Sequence, residues 1–196
     1  ARKNIPLIVM DRPNPNAHYV GGPVLNLENQ SFVGMHEVPI VYGLTIGEYA
    51  KMINNEGWLE NKLKSNLILI KLENYNRNEE YDLPIIPSPN LPNKKSINLY
   101  PSLCLFEGTN VSAGRGTDLQ FQIYGSPYLD KKKNEYEFIP IKNSGSKYPK
   151  HENKLCFGKI LTNTERLNRL NLSFILDAYN NTSNKEGFFN NYFIKL

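Results

Sequence analysis

The sequence predicts a mixed α+β fold in which a sheet-rich chain carries two main helices. An apolar run without alternation, Leu7 to Met10, is typical of a strand that is buried on both faces. Residues 45–56 predict a helix, because Thr45 and Glu48 form a capping box and Gly57 can end the helix. Strand-like runs separated by turn residues fill most of the middle of the chain.

The other predicted elements follow in chain order. Residues 66–73 predict a second buried strand, and the four prolines between residues 81 and 93 exclude a central strand or a helix interior there. A second main helix is predicted over 163–179, where Thr162 and Glu165 form a capping box. Further strands are predicted at 97–106, 119–124, 135–142 and 154–161.

The opening strand needs neighbours that the residues before it do not supply. Parallel strands are joined by crossover units of about thirty residues, and only six residues precede Leu7. We therefore expect residues 1–20 to be the final strand and exit loop of a truncated amino-terminal lobe, and 21–196 to form a mixed α+β lobe. The closing stretch "EGFFNNYFIKL" is apolar and has no cap or turn, so a truncation is expected at the carboxyl end too.

Composition and charge exclude several function classes. The 196 residues are 40% hydrophobic and 21% charged, as in an ordinary folded domain. The formal charge of +4 comes from scattered basic residues apart from Lys131 to Lys133, so no nucleic-acid partner is predicted. No apolar run is long enough to span a membrane. Cys104 and Cys156 lack neighbours at metal-ligand spacing, so no metal or cofactor is predicted, and whether the two cysteines pair stays open.

The loop "LFEGTNVSAGRGT", residues 105–117, holds more directed polar groups than a turn requires. Glu107 follows an apolar segment, and we expect the loss of water around it to favour the protonated form that a general acid needs. Arg115 lies between two glycines that would let an anion approach closely, and Asn110 and Thr117 add an amide and a hydroxyl. The alternative is a purely structural ion pair between Arg115 and Glu107.

Two other loops combine polar side chains with prolines that fix the backbone. In "DRPNPNAHY", residues 11–19, Arg12 and Asn14 follow the opening strand at the end where open α/β sheets bind ligands. In "PSPNLP", residues 87–92, Ser88 and Asn90 alternate with prolines and so point in fixed directions. Both loops could equally be rigid structural connections.

The ordered motifs of the chain resemble those of a known family. "PLIVMDRPNP", "GGPVLN", "SFVGMHEVPIVYGLTIGEYA", "PSPNLP", "YPSLCLFEGTNVSAGRGT", "FQIYGSP" and "CFGKILT" closely resemble the exo-β-N-acetylmuramidases of bacterial peptidoglycan recycling. The resemblance implies a two-lobed protein, with a Rossmann-like first lobe that this chain mostly lacks and a mixed second lobe. It also implies removal of N-acetylmuramic acid from the non-reducing end of cell-wall fragments, and a periplasmic or secreted location is expected from that substrate.

The resemblance also suggests roles for the loop residues. Glu107 is the candidate acid or base, while a second carboxylate is expected in the truncated lobe, because glycoside hydrolysis usually needs two. Arg115, with Arg12 as second choice, could bind the lactyl carboxylate of muramic acid in bidentate fashion. The residues expected to bind hydroxyls and the acetamido group are Asn14, Ser88, Asn90, Asn110 and Thr117. Two alternatives stay open, namely a muramyl-sugar binding domain without catalysis and a structural domain whose loops contact another protein.

Overall fold

The structure is a computed structural model that describes residues 2–3 and 5–190, and it divides into two compact units. Unit 1 runs from Ala1 to Tyr81 and unit 2 from Asp82 to Leu196. The fold is mixed α+β as predicted, but the described residues contain three main helices rather than two. The predicted division of a longer protein into lobes near residue 20 is a separate matter and stays a prediction.

Unit 1 contains a parallel strand pair, an antiparallel pair and one helix. Strands β1 (Leu7–Met10) and β4 (Leu67–Ile70) run parallel, with Leu7 opposite Leu67 and Met10 opposite Ile70. Along the chain, β1 and β4 are separated by the antiparallel strands β2 (Gly21–Val24) and β3 (Pro39–Val41) and by helix α1 (Ile46–Glu56). Short 3₁₀-helices occupy Leu27–Asn29 and Glu60–Lys62. The strand predicted at 66–73 is present but shorter, and its predicted burial is wrong at Ile68 and Ile70, which are exposed.

Helix α1 confirms the prediction in detail, because its end signals are local. Thr45 and Glu48 form the capping box, and Gly57 ends the helix in the left-handed conformation. Asp11, directly after β1, accepts hydrogen bonds from the Gly47 amide at 2.8 Å and the Thr45 hydroxyl at 2.7 Å. A carboxylate at this helix end is also favoured by the helix dipole, and it joins the helix to the end of β1.

The opening strand differs from the expectation of burial on both faces. Leu7, Ile8 and Met10 are exposed in the structure, although the apolar run does form a parallel strand. The absence of alternation therefore predicted a strand correctly and its burial incorrectly for the chain as described, and the parallel pairing with β4 was not predicted.

Unit 2 is a three-stranded antiparallel sheet with two helices. The strands β5 (Ile123–Ser126), β6 (Tyr136–Phe138) and β7 (Cys156–Ile160) are ordered β5-β7-β6. Helix α2 (Lys94–Leu103) continues into a 3₁₀-helix, Cys104–Gly108, and helix α3 (Ser173–Asn181) comes last. The core of this unit combines residues of both helices, the sheet and the loop after α2, including Leu99, Leu103, Phe106, Val111, Phe121, Tyr124, Ala178 and Phe188.

The predicted strand at 97–106 is wrong, since these residues are helical. Asn93 and Ser96 form a capping box that starts α2, and Leu99 and Leu103, four residues apart, are fully buried on one helix face. Pro101 lies inside the helix, where it is normally disfavoured. The strands predicted at 135–142 and 154–161 are present but shorter, as β6 and β7. The strand predicted at 119–124 is displaced, since β5 shares only Ile123 and Tyr124 with it.

The last helix begins ten residues later than predicted. The backbone of Leu167 pairs with the side chain of Asn98, whose amide donates to the Leu167 carbonyl at 3.0 Å and whose oxygen accepts from the Leu167 amide at 2.7 Å. These bonds occupy the backbone groups that a helix over 163–172 would need. Helix α3 therefore starts at Ser173 without a side-chain cap, and the capping box predicted at Thr162 does not form.

Three observations concern membranes, thiols and metals. No helix in the described part of the chain is long and apolar enough to cross a membrane. Cys104 and Cys156 are both free thiols. Among residues 2–3 and 5–190, no group of three or more side chains could hold a metal ion.

Candidate functional site

The loop from residue 105 to 117 is fixed by buried side chains on both sides of Glu107. Phe106 is fully buried and stacks on Tyr124 of the sheet, with ring centroids 5.0 Å apart. Thr109 is buried as well, and its hydroxyl donates to the Phe106 carbonyl at 2.9 Å. Glu107 lies in the 3₁₀-helix between them. The loop therefore presents Glu107 from a rigid, well-packed segment.

Glu107 and Arg115 form a close ion pair on the open side of this loop. The Arg115 Nη2 and Nε atoms donate to the same carboxylate oxygen, Oε1, at 2.6 and 3.2 Å. The guanidinium also lies 5.0 Å from the centre of the Phe121 ring. The ion pair that the sequence left open as an alternative is thus present. The Glu107 side chain is 51% exposed and that of Arg115 36%, so the expected desolvation of Glu107 is not found.

The ion pair borders an open cavity of about 220 Å³ in unit 2. The second carboxylate oxygen of Glu107, Oε2, has no hydrogen-bond partner among the described residues and is available to a ligand. The wall combines apolar and polar groups, as sugar sites commonly do. The lining residues are Phe106, Glu107, Val111, Ser112, Ala113, Arg115, Ser146, Tyr148, Pro149 and Lys150.

Six consecutive backbone carbonyls of the loop, from residue 106 to residue 111, are all bound by three residues from elsewhere in unit 2. The Lys150 Nζ donates to the carbonyls of Phe106 at 2.9 Å, Val111 at 3.1 Å and Thr109. The His151 Nε2 lies 2.6 Å from the Asn110 carbonyl. Asn190 donates to the carbonyls of Glu107 at 3.2 Å through its side chain and of Gly108 at 2.9 Å through its amide. We call Lys150, His151 and Asn190 the carbonyl-binding group.

Burial changes the titration of two members of this group. It lowers the pKa of Lys150 to about 8, against a smaller opposite effect of the Glu107 charge. Burial also lowers the pKa of His151, which favours the neutral ring. None of these three residues was predicted from the sequence. Lys150 and His151 are part of "KYPKHENK", which resembles an ordinary charged surface segment, and no local pattern connects it with residue 107.

The other two predicted loop residues of the 105–117 segment bind backbone in this structure. The Asn110 amide donates to the Gly187 carbonyl at 2.9 Å. The Thr117 hydroxyl donates to the Gly114 carbonyl at 2.7 Å and accepts from the Leu119 amide at 3.1 Å. Both side chains therefore shape the loop around Glu107, and neither lines the cavity.

The proline loop of unit 2 supports the rim of the cavity. Asn90 is buried, and its side-chain amide donates to the carbonyl of Gly145 at 2.7 Å. Gly145 is next to the lining residue Ser146. The Ser88 hydroxyl accepts a hydrogen bond from the backbone amide of Asn90 at 3.2 Å. Both side chains therefore have structural partners. Asn90 contacts the residue next to the cavity wall, and Ser88 contacts Asn90.

Arg12 and Asn14 belong to unit 1. Asn14 donates to the Leu44 carbonyl at 2.8 Å and accepts from the Asn16 amide at 2.9 Å, so its side chain stabilises the exit loop of β1. Arg12 is exposed, and its guanidinium has no partner among the described residues. Near the same strand ends, Pro13, Leu72, Tyr75 and Tyr81 help to line a second cavity of about 230 Å³.

Both halves of the chain match family models that describe one kind of protein. Residues 1–95 match the amino-terminal model of exo-β-N-acetylmuramidase NamZ, and residues 98–195 match its carboxyl-terminal model. The chain belongs to the NamZ family. The resemblance that the loop motifs indicated is thereby confirmed at the level of the family.

Two NamZ-family relatives are similar over most of this chain. Peptidoglycan β-N-acetylmuramidase NamZ of Bacillus subtilis is 35% identical over 181 residues, which are 85% of this chain and 43% of that protein. A crystal structure of a DUF1343 family protein from Bacteroides fragilis superposes with a TM-score of 0.92 at 45% identity, covering 98% of this chain and 55% of that one. A second Bacteroides fragilis structure of that name, at 24% identity and a TM-score of 0.74, shares the fold.

The chain spans about half the length of these NamZ-family relatives. The site described above lies wholly in the part that matches the carboxyl-terminal model, since Glu107, Arg115 and Lys150 all fall within residues 98–195. Arg12 and Asn14 fall in the part that matches the amino-terminal model.

Proposed function

We propose that this chain is part of an exo-acting glycoside hydrolase that releases N-acetylmuramic acid from the non-reducing end of peptidoglycan fragments. The observation that carries the proposal is the match of both halves of the chain to the NamZ family models, in the order of the family. The open cavity beside Glu107 and Arg115 supports it, because this cavity joins a carboxylate with a free oxygen to a guanidinium.

The ion pair gives this proposal a specific first step. The lactyl group of muramic acid carries a carboxylate, which can replace the Glu107 oxygen on the Nε and Nη2 atoms of Arg115 and bind them with its two oxygens in the fork geometry. Glu107 then loses its counterion and can accept or donate a proton at the sugar. A substrate without the lactyl carboxylate would leave the ion pair closed, so the exchange would also select for muramyl sugars.

A second candidate function is muramyl-sugar binding without catalysis. Glycoside hydrolysis usually needs two carboxylates, and Glu107 supplies the only one among the described residues that line the cavity. The pairing of Glu107 with Arg115 also suits a binding site, because it fixes both groups in place. In the hydrolase, the second carboxylate would come from another part of the full-length protein.

The other assignments follow from the proposed substrate. The partners would be peptidoglycan-derived muramyl saccharides and the preceding lobe of the same protein. We infer a periplasmic or secreted location from the position of peptidoglycan outside the cytoplasmic membrane.

A Glu107→Gln variant separates the two functions. In the full-length hydrolase, this variant should lose release of N-acetylmuramic acid from a MurNAc-GlcNAc disaccharide by about 100-fold or more, as expected when a general acid is removed. Sugar binding, measured by calorimetry, should be retained within a few-fold. Glu135→Gln is the matched control, since Glu135 is exposed and lines no cavity of this site. Binding without release by the unaltered protein would favour the second candidate.

A further inference from the structure

The Lys150 ammonium has no hydrogen-bond donor left for a ligand. A lysine ammonium carries three donors, and Nζ has three acceptors in the structure, the carbonyls of Phe106, Thr109 and Val111. Although Lys150 lines the cavity, it could bind a sugar only by giving up one of these carbonyls. Any effect of Lys150 on the site must therefore act through the backbone that it binds.

The backbone that Lys150 binds is the segment that carries Glu107. The carbonyls of Phe106 and Thr109 lie on either side of Glu107 in the chain, and one nitrogen atom fixes both. Carbonyl oxygens that point to one spot repel each other, and a cation between them removes that repulsion. Without the ammonium, the Thr109 carbonyl would be free to turn toward water, whereas the Phe106 carbonyl would keep its hydrogen bonds from the Thr109 hydroxyl and backbone amide.

The neighbouring residue extends the same arrangement. His151 has a backbone φ of 61°, an uncommon conformation for a residue with a Cβ atom, and its ring reaches the Asn110 carbonyl. Two adjacent side chains thus bind four carbonyls within a six-residue segment. The ion pair beside the cavity includes this segment, because the segment contains Glu107, the partner of Arg115.

We infer that Lys150 is the positioning residue of the candidate site, holding the Phe106–Val111 backbone so that the Glu107 carboxylate faces Arg115 and the open cavity. What this segment binds rests on the proposed function, whereas the ordering of the segment by Lys150 does not. A buried ammonium is costly to desolvate, and an apolar side chain of similar size is often equally good for overall stability. A positioning role therefore predicts a local effect on the segment, and a purely structural role predicts a loss of stability throughout unit 2.

The test compares Lys150→Met with the unaltered full-length protein and with Lys142→Met. Lys142 is exposed and does not line the cavity, so its variant is the matched control. Amide hydrogen exchange is measured for residues 107–112 and, as an internal reference, for strands β5 and β7. Binding of N-acetylmuramic acid is measured by calorimetry on the same samples.

We expect Lys150→Met to speed exchange at residues 107–112 by about tenfold or more, because three charge-assisted hydrogen bonds are lost. Sugar binding should weaken by a similar factor, while exchange in β5 and β7 and all properties of Lys142→Met stay unchanged. Exchange at 107–112 within twofold of the unaltered protein would overturn the inference. Faster exchange throughout unit 2 would also overturn it, since Lys150 would then be only structural.

A chemical rescue keeps the inference testable if Lys150→Met does not fold. In Lys150→Ala, ethylammonium can occupy the space between the three carbonyls, whereas ethanol has the same size but no charge. Recovery of slow exchange at 107–112 with ethylammonium alone supports the positioning role, and equal recovery with both, or recovery with neither, overturns it. If the exchange results hold but the unaltered protein neither binds nor releases muramyl sugars, the positioning role stands and the proposed function fails.

Discussion

Replacing Lys150 by methionine should remove a pH-dependent part of the free energy of unfolding. Burial lowers the pKa of Lys150 from 10.5 to about 8 in the folded protein. Between these two values the unfolded chain holds a proton that the folded chain lacks, so rising pH favours the folded state. This stabilisation is complete above pH 10.5, the pKa of Lys150 in the unfolded chain. It is lost as the pH falls through about 8, the pKa in the folded protein.

The structure sets the size of this effect. The difference between the two pKa values of Lys150 corresponds to roughly 3 kcal/mol in total, of which about 1 kcal/mol arises between pH 7 and pH 9. Burial raises the pKa of Cys104 to about 11 and that of Cys156 to about 12, which acts in the opposite direction. Each thiol contributes less than about 0.5 kcal/mol in this window, and both are present in the variant as well.

Urea unfolding at pH 7, 8 and 9 measures the effect directly. The unaltered protein should gain about 1 kcal/mol more free energy of unfolding between pH 7 and pH 9 than Lys150→Met does. Lys142→Met should follow the unaltered protein, because Lys142 is exposed. Equal pH dependence in the unaltered protein and Lys150→Met would show that Lys150 titrates as in water, and the reasoning from its burial would be refuted.

Three further substitutions test other contacts. Arg115→Met should weaken binding of N-acetylmuramic acid about tenfold or more in calorimetry, but leave thermal stability nearly unchanged because the pair with Glu107 is half-exposed. Unchanged affinity would exclude Arg115 as the carboxylate-binding group. Gly158→Ala should prevent stable folding, because a Cβ atom would lie 1.8 Å from the Tyr124 carbonyl oxygen, and a normal circular dichroism melting curve would contradict this. Asn90→Ala should lower the free energy of unfolding in urea by about 0.5–1.5 kcal/mol, since it removes a hydrogen bond from the buried Asn90 side chain to the half-buried Gly145 carbonyl. A smaller loss would show that water replaces the amide.

Helix α1, which has strong local signals at both ends, could be predicted from the sequence, whereas helices whose bounds depend on weaker caps or on distant side chains could not. Helix α1 has its capping box and its terminal glycine within one short stretch, and both are as predicted. Helix α2 was not predicted, because its capping box ends in Ser96, which is less characteristic than a glutamate, and because the helix contains Pro101, which is normally disfavoured inside a helix. The start of α3 depends on Asn98, sixty-nine residues before Leu167, and no periodicity indicates that contact.

The same difference separates the two parts of the candidate site. Glu107 and Arg115 are eight residues apart, so the sequence could predict their pairing from a single loop. Lys150 lies 39 to 44 residues beyond the carbonyls that it binds, in a segment that resembles solvent-exposed surface. Backbone carbonyls leave no trace in the sequence, and a lysine that binds them looks like any other lysine.

Release of free N-acetylmuramic acid from a purified MurNAc-GlcNAc disaccharide, followed by mass spectrometry, tests the proposed hydrolase most directly. The measurement compares this chain, a version extended at its amino end, and the extended version with Glu107→Gln. We predict release by the extended version and its loss in the variant. No release by a folded extended version would contradict the hydrolase and leave muramyl-sugar binding as the function of the site.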